Sequence, residues 1–166
     1  MNLRTRSLLF AFSICCPLTA AADEALTTFK VLKPQVALQL AQATMEACRK
    51  EGYQVAVAVV DRFGVTQVLL RDQLAGAHTP ETATRKAWTA ASFKTDTQAM
   101  MEETQAGKPQ SGARFVPGAL MFSGGLPVNA AGSLVGGIGV SGAPGGELDR
   151  MCAEKGIEAI EDALMF

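Results

Sequence analysis

Histidine, tryptophan and tyrosine are nearly absent from this 166-residue chain: the first occurs once, as do the other two, and charged residues make up only 19%. Those scarcities exclude much. One histidine (His78) and the two isolated cysteines beyond the first apolar run, Cys48 and Cys152, give none of the spacing a zinc centre needs. The 15 basic residues are matched by 16 acidic ones, with no basic run or aromatic-interleaved patch, so no footprint for nucleic acid exists. The chain has no nucleophile elbow, H-E-x-x-H pair or P-loop. No internal repeat or low-complexity tract divides it. Its first apolar run is also too short to span a bilayer, which takes roughly 20 residues.

What is present begins with an export pattern. Arg4 and Arg6 precede an apolar run over 8–18, and Ala20, Ala21 and Ala22 supply the small residues of a cleavage site. This predicts a signal peptide at 1–22, a single mature domain at 23–166, and a periplasmic or secreted location. No transmembrane segment is expected in the mature chain. Ile14 before Cys15 is a poor match to lipoprotein processing. Cleavage removes Cys15 and Cys16 and leaves Cys48 and Cys152, which enter an oxidising compartment either as a disulfide or as two small buried hydrophobes.

Periodicity then gives the elements. A helix is expected over 34–50, with Pro34 in its first turn and Gly52 as its stop. Its inward stripe is Ala37, Leu40, Ala41, Thr44 and Cys48. The segment 55–61 is apolar on both faces and therefore a central strand. It turns through Arg62, Phe63 and Gly64 into a second strand ending at Arg71. A second helix starts with Thr79 as N-cap and Pro80 at its first position. Ala83, Ala87, Ala90 and Ala91 form its small stripe, and Thr82, Arg85, Lys86 and Thr89 its polar side. A short helix over 97–105 and a loop or lid over 107–118 follow. A second hairpin turns through 129–132, where Asn129 and Gly132 tolerate positive φ. The last helix, 146–164, turns Leu148, Cys152, Ala159, Ile160 and Ala163 inward. Short hairpins between strands call for an antiparallel sheet with helices on its faces.

Gly136, Gly137 and Gly139 lie inside a strand-like run and precede no phosphate-facing helix. They read as close backbone packing, not as a dinucleotide turn. Gly124 and Gly125 form either a tight bend or a place where uncovered N–H groups let a flat ligand approach. His78 is either a surface loop residue or a ligand contact.

Taken as a set, Arg71-Asp72, Gly76-Ala77, Lys86-Ala87 with Thr89-Ala90, and the run 124–142 followed by Glu147 and Asp149 resemble the GlcG/HbpS-like haem-binding family. The resemblance covers roughly 32–163. It departs from the family pattern at Ser123, where a proline is usual, and at the three residues inserted before Gly76. It implies an α/β/α sandwich with a mainly antiparallel central sheet, of profilin-like type. It also implies haem as cofactor, or another small flat ligand, and a homo-oligomer. Cys48 and Cys152, on helices that share one face of the sheet in that fold, would then form a disulfide. Haem needs an iron contact, an apolar slot and cations for its propionates. His78 is the candidate iron ligand, with Tyr53, Met100, Met101 and Met121 as rivals. Thr79, Arg71, Lys86, Gly124 and Gly125 are further candidate contacts, with Arg85 a third cation. Phe93, Phe115 and Phe122 are candidates for the slot. The expected function is capture or buffering of haem, with any slow degradation driven by the haem itself and no catalytic residue assigned. Two other classes compete: an enzyme acting on a small organic acid or ring through Asp61, Asp72 or Lys86, and a sensory or scaffold module acting through a partner protein.

Overall fold

Val57, Val59 and Val60 alternate with Ala56 and Ala58 in strand β1 (Ala56–Asp61), and all five are fully buried. Burying each valine contributes roughly 1.5–3 kcal/mol. Such a strand requires cover on both faces. The computed structural model, which describes residues 25–165, supplies it. The expected signal peptide at 1–22 lies outside the described residues.

Four strands pair antiparallel in the order β2-β1-β4-β3, with β2 at Thr66–Arg71, β3 at Gly125–Ala130 and β4 at Ser133–Ser141. Helices α1 (Pro34–Lys50) and α4 (Gly146–Glu158) cover one face, against Val57, Val59, Ile138 and Val140. Helix α2 (Thr79–Phe93) covers the other, setting Ala83, Ala87 and Ala91 on Ala56, Ala58 and Val60. The small stripe matters because α2 lies directly on backbone: a Cβ at Gly139 would stand 2.1 Å from the Ala83 carbonyl oxygen. This is the α/β/α sandwich the sequence implies. Short helices α3 (Thr97–Glu103) and α5 (Glu161–Leu164) and a 3-10 turn at Ser111–Phe115 complete it. Among the described residues no helix is long and apolar enough to cross a membrane.

The first hairpin turns as expected, with Gly64 at φ +84° and the Asp61 carboxylate accepting from Phe63 N–H at 2.8 Å and Val65 N–H at 3.0 Å. In the second hairpin the positive φ falls on Ala131 and Gly132, while Asn129 stays in β3. Three further expectations are corrected. Thr79 is the first residue of α2 and not its N-cap; its hydroxyl donates back to the Gly76 carbonyl at 2.8 Å, and His78 takes the cap position. Lys86 and Thr89, read as polar-side residues, are fully buried. The final helix breaks at 159–160: Cys152 and Ile160 are buried as expected, but Ala159 and Ala163 are exposed and the inward row before the break is Asp149, Cys152, Ala153 and Gly156. Asp149 turns inward because it pairs with Lys86, and Gly156 because Thr44 of α1 fills the space where its Cβ would be.

Cys48 and Cys152, both fully buried, form a disulfide that ties α1 to α4 across 104 residues, with their Cα atoms 5.3 Å apart.

Candidate functional site

At the end of the sheet where Ala56 pairs with Arg71 and Ser141, the chain leaves an open cleft of about 310 Å³. It is lined by Gly76, His78, Thr79, Phe122, the segment 141–145 and Asp149. The loop 72–78 forms one wall, and it is firmly tied. Asp72 is buried, accepts from Arg49 Nε at 2.9 Å and from Val55 N–H at 3.2 Å, and donates its own N–H to the Val55 carbonyl. Arg71 donates from Nε to the Ala75 carbonyl at 3.0 Å, with Nη2 bonded to the same oxygen. His78 therefore projects from a braced loop at the entry to α2. Its imidazole lies over Gly76, where a Cβ would come within 2.7 Å of Cε1 and 2.9 Å of Nδ1.

Beneath the cleft sits an ion pair. Lys86 Nζ donates to Asp149 Oδ2 at 2.8 Å and to the Val140 carbonyl at 2.8 Å. It also lies 4.4 Å from the centre of the Phe122 ring. The other Asp149 oxygen accepts from Ala143 N–H at 3.0 Å, which fixes the loop at 142–145. Burial pushes the Lys86 amine below its ordinary pKa, with attraction to Asp149 offsetting only part of that. Burial likewise pushes the Asp149 carboxyl above the usual carboxylate range, against the opposing pull of Lys86. Both groups are driven toward their neutral forms because desolvation exceeds their mutual attraction.

The candidate residues are thus unequally placed. His78 and Thr79 line the cleft, although Thr79 is nearly buried and spends its hydroxyl on Gly76. Arg71 braces the wall. Lys86 lies under the floor with its charge already met. Gly124 and Gly125 are buried there too, and the reading of uncovered N–H groups facing a flat ligand is corrected for Gly125. Its N–H donates to Thr97 Oγ1 at 2.9 Å, and a Cβ on it would stand 2.5 Å from the Lys86 carbonyl oxygen. Gly124, at φ +115°, leaves room for Asp149 and Lys86. Close packing requires glycine at both positions of this bend.

Of the alternative iron contacts, Tyr53 packs on the main core and Met121 is buried, and neither lines the cleft; nor does Met100 or Met101. Phe122 is the one slot candidate at the cleft, while Phe115 is 86% exposed in the 3-10 turn. Arg85 is spent on the Gly118 and Ala119 carbonyls. The residues named for an enzymatic role do not converge, since Asp61 caps a turn at the opposite end of β1 from Asp72. Sequence reasoning missed the 142–145 loop and the structural role of Asp149. An acidic residue in phase with Cys152 on the helix was the available signal.

The family of haem-degrading, HbpS-like proteins matches this chain over residues 32–158. The crystal structure of HbpS is 41% identical with a TM-score of 0.77, covering 84% of this chain and 96% of that one. A crystal structure of a PduOC:heme complex is 31% identical with a TM-score of 0.73, covering 78% and 95%. The corrinoid adenosyltransferase PduO of Salmonella typhimurium is 33% identical over 124 residues; the match takes in 74% of this chain but only 37% of that protein's length. With a braced cleft of this construction and a match across most of its length, the chain belongs to the HbpS-like haem-degrading protein family.

Proposed function

We propose that this protein binds haem in the His78 cleft and acts outside the cytoplasm to capture and buffer it. The observation that carries this reading is His78 itself. Its exposed imidazole is cradled on Gly76 in space that a Cβ would occupy, and no protein hydrogen bond engages its ring among the described residues. Imidazole suits iron, and the half-exposed Phe122 ring offers an apolar face to a macrocycle. The N-terminus of α2 carries partial positive charge, which suits a propionate; Arg71 lines a separate hollow with Arg49 and Gln73 and serves the site by bracing the loop through Ala75. Lys86 supports the site from below by holding Asp149 in place beside Phe122. Bound haem would supply ligand exchange and electron transfer at its iron. A cleft of this size encloses only part of a porphyrin, and the reading places the rest against a second copy of the chain. Leu74, on the same loop as His78 and 77% exposed, supplies apolar surface for that contact.

Titration of protein lacking a histidine tag with haemin tests the proposal. Saturable binding with a sharp Soret band is expected. His78→Ala should shift the band and weaken binding by about 2–4 kcal/mol, the loss typical of a desolvated anchor. An unchanged spectrum and affinity in that variant would overturn the site, and absence of saturable binding would overturn the function. The export part of the reading is supported by the leader-like 1–22 segment and by the disulfide, a bond that persists in oxidising compartments. Intact mass of periplasmic protein should show 1–22 removed; a mass retaining them refutes it.

A further inference from the structure

The opposite end of the sheet carries a second concavity that the haem reading does not use. It has a volume of about 600 Å³, within the range of small-molecule sites, and its walls include Phe29, Lys30, Arg62, Lys94, Asn129 and Ser133. Among the described residues that line it, three side chains are cations and none is a carboxylate, in a chain whose formal net charge is −1. The basic groups come from three separate places: the segment before α1, the β1–β2 turn and the residue that ends α2.

Arg62 is the decisive member. Its guanidinium carbon stands 4.0 Å from the centre of the Phe29 ring and 5.8 Å from that of Phe63, and the two rings meet edge to face at 5.6 Å. Stacking of this kind fixes a guanidinium by its face and leaves its in-plane N–H donors available. Among the described residues no carboxylate pairs with it. Asp61, next in the chain, has its Oδ1 directed to the turn N–H groups of Phe63 and Val65. Lys94 likewise makes no side-chain ion pair there, and it is held at φ +55° by the backbone that closes α2. A pre-positioned fork lining the same hollow as a second cation and two small polar side chains is the kind of donor set that holds phosphate groups.

We propose that this cleft is a binding site for a diphosphate group, carried either by inorganic pyrophosphate or by a nucleoside diphosphate. Two adjacent phosphates place enough negative charge in one small volume to engage Arg62 and Lys94 together. A monoanionic carboxylate does not. The site is independent of the haem cleft, because β1 separates the two, with Ala56 toward one and Asp61 toward the other.

Calorimetric titration of the tag-free protein with pyrophosphate, ADP and citrate at low ionic strength tests this. Pyrophosphate should bind saturably and weaken as salt is raised, as screening requires. Arg62→Gln should weaken it about tenfold, Arg62→Lys by less because charge remains while the fork is lost, and Arg62→Gln/Lys94→Gln about a hundredfold. ADP binding more tightly than pyrophosphate assigns the group to a nucleotide, with its base on the aromatic pair; equal binding assigns it to the inorganic anion, and both support the site. Citrate binding as well as pyrophosphate overturns the phosphate assignment. Absence of binding, or affinity unchanged in the double variant with an unaltered circular dichroism spectrum, overturns the site.

Discussion

The pair Lys86–Asp149 makes a demanding prediction because burial, not attraction, dominates both partners. The Lys86 side chain is fully buried and that of Asp149 is 4% exposed. Lys86→Met removes the cation and leaves a buried carboxylate with Ala143 N–H as its remaining protein donor, which costs about 3–5 kcal/mol. Asp149→Asn leaves the ammonium with the Val140 carbonyl, the amide oxygen and the Phe122 ring, and belongs to the same range. Lys86→Met/Asp149→Leu removes both desolvation penalties and should fall within about 2 kcal/mol of the parent, on either side. Urea unfolding of the oxidised protein measures all four corners. With a slope of about 1–3 kcal/mol per molar, each single change moves the midpoint by roughly 1 M or more. The pH dependence has an unusual sign. Since the folded Asp149 pKa is raised, the native state binds a proton before the unfolded chain does, so the parent gains on the double variant as pH falls from neutrality toward the ordinary carboxylate range. A lowered Lys86 pKa acts likewise at the alkaline end: the native state loses its proton first, and stability recovers as pH rises toward 10.5. A single substitution costing less than about 1 kcal/mol would show that the pair is hydrated and refute the reasoning.

Three other perturbations are simpler. Gly139→Ala drives a methyl group into the Ala83 carbonyl and the Ala87 amide, both backbone, and should cost about 3 kcal/mol or more by thermal melting, whereas Gly112→Ala meets nothing within 4 Å and should stay within about 0.5 kcal/mol. Reduction of the Cys48–Cys152 bond frees a 104-residue loop in the unfolded chain and should lower stability by about 4–5 kcal/mol, while reductant should have no effect on Cys48→Ala/Cys152→Ala; equal urea midpoints with and without reductant in the parent contradict this. Asp72→Ala strips Arg49 and the Val55 N–H of a buried acceptor and should cost about 1–3 kcal/mol, with looser haem binding because the His78 loop loses its brace; an affinity equal to the parent's would uncouple loop from site.

The fold was legible where side-chain period and backbone chemistry agree. The doubly apolar run at 55–61 announces a strand covered on both sides, and Pro34, Pro80 and Gly64 mark element boundaries by their restricted or permissive φ. The α1 stripe Ala37, Leu40, Ala41, Thr44 and Cys48 is buried as its spacing predicts. Legibility failed where a polar residue belongs to the interior. In α2 a hydrophobicity reading puts Lys86 and Thr89 outside, yet Thr89 Oγ1 donates to the Arg85 carbonyl and accepts from Leu120 N–H, and Lys86 crosses to β4 and α4. Each is inside because its partner, distant in sequence, satisfies it.

The same physics explains why the site was only half visible. His78 could be singled out as a lone imidazole at a helix entry, and the structure puts it on the cleft. Its support could not be read, because that support consists of contacts separated by tens of residues: Arg49 with Asp72, Lys86 with Asp149, Cys48 with Cys152. These three ties meet on α1, α2 and α4. The disulfide and the ion pair both act on α4, three residues apart at Asp149 and Cys152, so one fixes the helix to α1 while the other fixes it to α2 through the sheet. The loop at 142–145, held by the second oxygen of Asp149, inherits that position. The Gly124 bend is then a requirement of the ion pair, since a Cβ there would stand 2.9 Å from the Lys86 nitrogen and 2.8 Å from the Asp149 Cβ. Of the motif residues, Lys86 meets Asp149, Gly125 meets Thr97 and Arg71 meets Ala75, while His78 faces the cleft.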